Sequence, residues 1–183
     1  MANVASNVSA GKPKTTGAIW VAPKGSTLPT DTATTLDVAF KCLGYCSDDG
    51  LTNSTDLESE TIKAWGGDTV LTIQTSKEDR FGFTLIEVLN EDVLKFVYGS
   101  TNVSGTLSTG LTVTANNADV EEVAIVIDMI MRDNTAKRIV IPDGAITARD
   151  EITYNDSDAI GYGVTVSAYP DANGKTHEEY IEN

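Results

Sequence analysis

The stretch "EEVAIVIDMIMRDNTAKRIVIPDGAIT", residues 121–147, constrains the fold most. Two apolar, β-branched runs flank the polar "RDNTAK", and a β-hairpin is the simplest structure that uses both. Such a hairpin needs cover from further sheet or helix. Neighbouring segments offer it. "GAIWVAP", 17–23, is a short strand ended by Pro23. "DTVLTIQTSKEDRFGFTLIEVL", 68–89, reads as two strands joined by a turn at Ser76–Asp79. Alternation puts Leu71 and Ile73, then Phe81, Phe83 and Leu85, on core faces. A further strand lies near 111–115. Ile160, Tyr162, Val164, Val166 and Ala168 share one face of the next, with Thr165 and Ser167 opposite. Short strands separated by turns predict a mainly β fold, a sandwich or barrel.

Two segments carry helical spacing. In "NEDVLKFVYG", 90–99, Asn90 can cap, Glu91 and Asp92 suit the positive end of the dipole, Val93, Phe96 and Val97 make an apolar stripe, and Gly99 stops the helix. In "LDVAFKCLG", 36–44, Leu36, Phe40 and Leu43 stand at i, i+4 and i+7, with Thr35 before them and Gly44 after. That spacing predicts one or two helical turns. The chain divides into an N-terminal arm (1–16), one β domain (17–170) and a C-terminal hairpin or arm (171–183). No internal repeat or linker interrupts it.

Residues 47–61, "SDDGLTNSTDLESET", are polar and acidic, and Trp65 follows, then Gly66 and Gly67. This reads as a long loop, about 47–67. It raises the question of what covers an indole on so polar a segment.

Chemistry finds little support. Cys42 and Cys46 have C-x-x-x-C spacing, the single histidine is His177, and zinc needs more ligands. "NGKT", 173–176, lacks the upstream glycine of a phosphate loop, and "DANGKTHEEYIE" misplaces the glycine of a calcium loop. No nucleophile motif is present. The expectation is no enzyme, no cofactor and no metal. Net charge is −14, from 27 acidic and 13 basic residues, which argues against a surface that grips nucleic acid. Nothing in the first 17 residues resembles a secretory leader, and no apolar run reaches membrane-spanning length, so a cytoplasmic product without a membrane anchor is expected. Two classes then compete: a self-assembling structural protein whose exposed segments order against copies of itself, and a monomeric acidic binding module.

"GAIWVAPKGSTLP", "GYCSDDGLTNS" and "ESETIKAWGGDTV", in colinear order with the strands up to Asn183, resemble the tail tube (major tail) proteins of long non-contractile-tailed bacteriophages. Many members add an immunoglobulin-like C-terminal domain, and none is expected within this sequence. The resemblance implies a two-sheet β-sandwich with a flanking helix. Subunits would form hexameric rings that stack into a tube, with one inner sheet per subunit joining a ring-wide β-barrel. The virion tail would be assembled in the host cytoplasm. Partners implied are further copies of the chain, the tape-measure protein, tail terminator and distal tail proteins, and double-stranded DNA that passes without specific binding. A related tube or baseplate ring component, or a capsid decoration protein, is the alternative.

The resemblance also assigns the 47–67 segment to ring stacking, with Asp48, Asp49, Leu51, Leu57, Glu58, Glu60, Ile62, Lys63 and Trp65 as contacts. An inner sheet built from 43–48, 68–75 and one or both strands around 111–128 would send Leu43, Tyr45, Val123, Ile125, Ile127 and Met129 to the core. Asp48, Asp68, Thr72, Gln74, Glu122 and Asp128 would then face the lumen, with no basic residue beside them.

Overall fold

The computed structural model describes residues 3–183; the first two residues of the expected arm lie outside them. The elements in chain order are β1 (Lys12–Pro13), β2 (Ile19–Pro23), β3 (Lys41–Cys42), β4 (Cys46–Lys63), β5 (Thr69–Leu85), α1 (Glu91–Tyr98), β6 (Val103–Thr106), β7 (Gly110–Val113), β8 (Val123–Ile130), β9 (Ala136–Arg149), β10 (Tyr162–Ala168) and β11 (Glu178–Glu182). The fold is mainly β with one short α-helix. Nine strands form one antiparallel sheet in the order β3-β2-β8-β9-β10-β5-β4, with β1 added beside β8 and β11 beside β9; β6 and β7 pair separately.

The 121–147 hairpin forms as its pattern requires. β8 and β9 pair from Ile130↔Ala136 outward, and Asp133 and Asn134 turn the chain with positive φ. β9 is long enough to serve two neighbours. Its first part pairs with β8 and β11, and its last part, from Gly144, pairs with β10.

One cluster gathers Ile19, Ile125, Ile127, Ile139 and Ile141 with Phe81, Phe83, Leu85, Val164 and Val166. Helix α1 adds Val93, Leu94 and Val97 to the same cluster. Its Asn90 side chain accepts the Asp92 N–H at 3.0 Å, and Gly99 ends it at φ 98°. Cap and stop match the sequence reading, as do Val93 and Val97 of the stripe, whereas Phe96 is half-buried and Leu94 joins the core in its place.

The 36–44 helix does not form. The Asp37 carboxylate accepts the Ala39 N–H, the Asp37 carbonyl accepts that of Phe40, and β3 pairs Lys41 and Cys42 with Val21 and Trp20. Phe40 and Leu43 are buried, but in different clusters on an extended chain. An aspartate turn followed by an open sheet edge outcompetes two helical turns.

A second cluster covers the other face of β2, β8 and β9. Ala22, Phe40, Ala124, Val126 and Val140 pack there, with Trp20, Leu28, Leu36, Ala39 and Tyr180 beside them. β8 is therefore buried on both faces. Beneath this cover lies a buried ion pair: Arg138 Nε and Nη2 donate to the two Asp128 oxygens at 2.6 and 2.9 Å, and Nη1 donates to the carbonyls of Asp31 and Thr34 at 2.9 and 2.7 Å.

Candidate functional site: a projecting β-ribbon

The segment expected to be a loop is a strand. β4 and β5 pair along almost their whole lengths, from Cys46↔Leu85 to Lys63↔Thr69. The expected turn at Ser76–Asp79 is absent, and β5 runs straight through it. β10 pairs only with residues 79–85 of β5. Beyond Asp79, each strand has only the other as partner, so the two leave the body as a ribbon. The seven steps from Asp56 to Lys63 span roughly 24 Å at about 3.4 Å per residue. The reverse turn runs through Ala64–Asp68, closed by the Ala64 N–H on the Asp68 carbonyl at 2.7 Å. Gly66 and Gly67 take φ 117° and 100° there, which L side chains rarely adopt.

Every residue from Thr52 to Lys77 is exposed. Trp65, on the tip, is fully exposed (107%). Among the described residues nothing covers this indole. Leu71 and Ile73, expected in the core, are 50% and 44% exposed. The reason is a register shift. Glu58 opposes Ser76 but Ser59 opposes Gln74, so Thr75 is an extra residue in β5. The bulge reverses side-chain parity, and Leu71 and Ile73 leave the face of Phe81 and Phe83. Directly opposed residues share a face. One face therefore carries the pair Ile62–Leu71 and the pair Glu60–Ile73, and the other carries Thr61–Thr72 and Ser59–Gln74.

The ribbon's root is pinned by Asp79, which is 1% exposed. Its carboxylate accepts the Thr55 hydroxyl at 2.6 Å and the Thr176 hydroxyl, with Lys77 Nζ at 3.6 Å and His177 Nδ1 at 3.8 Å. Burial pushes its pKa up, but the Thr176 and Thr55 hydroxyls, the Lys77 ammonium and the nearby His177 ring outweigh burial and hold it below the ordinary value. A carboxylate depressed in the folded state stabilises the fold above its unfolded pKa and loses that contribution as pH falls through the acid range. Asp79→Ala should cost about 1–3 kcal/mol by removing the two hydrogen bonds to a charged group, and it should flatten the acid limb of the stability-versus-pH curve. Denaturant titrations at pH 7 and pH 3 check both.

The expected stacking residues divide accordingly. Leu57, Glu58, Glu60, Ile62, Lys63 and Trp65 lie on the ribbon or its tip; Asp48, Asp49 and Leu51 lie at its base, where β4 makes no regular pairs between Cys46 and Leu51. The expected lumen residues do not share one face. Asp48 and Asp68 are exposed at opposite ends of the ribbon, and only Thr72 and Gln74 stand side by side. Glu122 is exposed but bonded to Lys24 at 2.7 Å. Asp128 is a correction: it is 6% exposed, held by Arg138 beneath the second cluster. Lys24 and Arg138 also overturn the expectation that no basic residue stands by these carboxylates. Tyr45 is a further correction, 76% exposed rather than in the core, whereas Leu43, Ile125 and Ile127 are buried as expected.

Beside the ribbon's base lies an open cavity of about 1490 Å³, bordered by 11–19, 42–51 and Asp150–Gly163. Cys42 and Cys46 border it as free thiols. Burial, then Cys42 and Glu87, pushes the Cys46 pKa up to about 11, so it is protonated at neutral pH and a poor nucleophile. Among the described residues no group of histidine, cysteine and carboxylate side chains could hold a metal.

A β body that extends an uncovered two-stranded ribbon with two free backbone edges defines a subunit built to associate. A family model for the phage tail tube protein matches residues 4–183, and the chain belongs to that family. It is a structural subunit of the virion's tail tube, not an enzyme, and the family implies polymerisation with itself. No curated protein gives a match to the chain.

Proposed function

We propose that the subunits form hexameric rings that stack into the tube of a long, non-contractile tail, and that the ribbon is the ring-to-ring connector. The observation that carries this reading is the exposure of every residue from Thr52 to Lys77. An isolated two-stranded ribbon is marginal in water, and this one holds Trp65, Ile62, Leu71 and Ile73 uncovered. A neighbouring ring supplies the missing cover. Within the ring, the body's strands form the inner and outer layers of a sandwich, and the inner layers of six subunits join as a barrel. The domain at 17–170 builds the wall, while the segments at 1–16 and 171–183 bridge subunits.

Thr72 and Gln74 line the channel as neutral groups, with Asp48, Asp68 and Glu122 as carboxylates. Like charge keeps the passing DNA from adhering to the wall. The tape-measure protein occupies the channel during assembly, and terminator and distal tail proteins close the two ends of the tube.

Negative-stain microscopy of the concentrated protein is expected to show tubes. A chain with residues 57–77 replaced by a two-residue turn is expected to fold, because the removed part buries nothing, and to give rings or monomers but no tubes. Tubes from that shortened chain would refute the ribbon's role. In particles, Asp68→Lys should slow DNA ejection at low salt, because an amine would bind passing phosphates. Ejection at the normal rate would place Asp68 outside the lumen.

A further inference from the structure

The two faces of the ribbon differ, and the difference depends on one residue. On one face Ile62 pairs with Leu71 and Glu60 with Ile73. Asp56, Glu58 and Glu78 belong to the same face, by alternation along β4 and by the pair Asp56↔Glu78. Arg80 neutralises two of these acids, reaching Asp56 at 2.8 Å and Glu78 at 2.6 Å. Glu58 and Glu60 have no cationic partner among the described residues. The opposite face carries Ser59, Thr61, Thr72 and Gln74, with Leu57 paired to Lys77 towards the root and Lys63 towards the tip; from Leu57 to Lys63 it has no carboxylate, and it lacks the paired apolar residues that Ile62 and Leu71 make. An apolar centre rimmed by unpaired carboxylates asks for a partner with apolar side chains and cations.

The chain itself carries such a surface. All 27 acidic residues lie at Asp31 or later, so the first 30 residues hold Lys12, Lys14 and Lys24 and no carboxylate. Val4 and Val8 are exposed there, at 52% and 71%. Lys14 lies near Asp128 and Lys24 is taken by Glu122 and Asp143, but Lys12 has no carboxylate partner among the described residues. A ribbon of one copy on the N-terminal stretch of the next is a heterologous contact, which propagates instead of closing as a dimer.

We propose that the face bearing Ile62, Leu71 and Ile73 docks on the N-terminal stretch of a second copy, and that the Thr75 bulge decides that this face is the one presented. This rests on the ribbon as ring connector and adds which face is buried, against what, and what sets it.

The bulge permits a test by register. Inserting one threonine between Glu58 and Ser59 gives Thr75 a partner, removes the bulge and turns the outer ribbon over. Deleting Thr75 also removes the bulge but leaves Ser59 opposite Gln74, so the apolar face keeps its side. Both changes lie outside the buried body, and thermal unfolding of each monomer checks that it is intact. The insertion is expected to raise the concentration needed for tube formation at least tenfold in sedimentation, and the deletion to change it by less than threefold. Tube formation by the insertion variant at the wild-type concentration overturns the face assignment, and equal loss in both variants does the same. If the chain shortened at 57–77 also forms tubes, the connector reading itself has failed, a distinct outcome. Glu60→Lys should weaken assembly, and Lys12→Glu in the same chain should restore it. No restoration overturns the N-terminal stretch as the docking partner.

Discussion

Replacing Arg138 with alanine is expected to destabilise the folded chain by about 3–5 kcal/mol, the largest single effect in the body. Asp128 would be left as a buried charge without its bidentate partner, and the carbonyls of Asp31 and Thr34 would lose their donors. The loop they belong to covers the second cluster, so its loosening should also expose Phe40 and Val126. Asp128→Lys should be at least as damaging, because it sets two cations together in a buried site. Asp128→Asn with Arg138→Met, which removes both charges, should recover much of the loss. Urea unfolding of the four chains checks this. Equal stability of Arg138→Ala and the parent would show that the pair is open to solvent and that the loop does not close over it.

The second large effect concerns assembly and leaves the fold alone. Trp65→Ala should unfold at the parent's temperature within about 1 °C, because a fully exposed indole contributes no burial to the monomer. Tube formation should nevertheless require a concentration at least tenfold higher. A large aromatic that enters a desolvated pocket is the kind of side chain that dominates an interface, at 2 kcal/mol or more on truncation, about thirtyfold in equilibrium constant. Sedimentation of the polymer against protein concentration reads the effect. A variant that melts early and assembles normally would make Trp65 a residue of its own chain's core.

Much of the fold was legible in the sequence where one face of an element is buried. The 90–99 helix had a cap, acidic first turn, apolar stripe and glycine stop, and each does its expected work at Asn90, Val93, Val97 and Gly99. The β8–β9 hairpin and the alternation at 162–168 were legible for the same reason. The ribbon was not. Residues 52–63 face water on both sides, so no core imposes a period of two, and a polar strand reads like a polar loop. The bulge at Thr75 breaks the alternation that would otherwise keep Leu71 and Ile73 on the face of Phe81 and Phe83.

Asp128 shows a different failure. Alternation separates it from Ile125 and Ile127, but alternation alone does not say that the far face is covered. Ala124 and Val126, apolar on that same face, were the signal that it is covered as well. Arg138 sits directly opposite Asp128 in the hairpin register, a pairing that a fixed "RDNTAK" turn could have supplied. At 36–44, spacing at i, i+4 and i+7 was satisfied by an extended chain that sends Phe40 and Leu43 to different clusters.

The ribbon is expected to be open in the free subunit and covered in the tube. Amide hydrogen exchange over residues 52–77, compared between dilute monomer and assembled tubes, tests it most directly. A two-stranded ribbon with solvent on both faces opens readily, so the free subunit should exchange these amides far faster than those of β8 and β9. In tubes their protection should rise at least a hundredfold, while that of β8 and β9 stays where it was. Equal protection of 52–77 in monomer and tube would mean that no neighbouring subunit covers the ribbon.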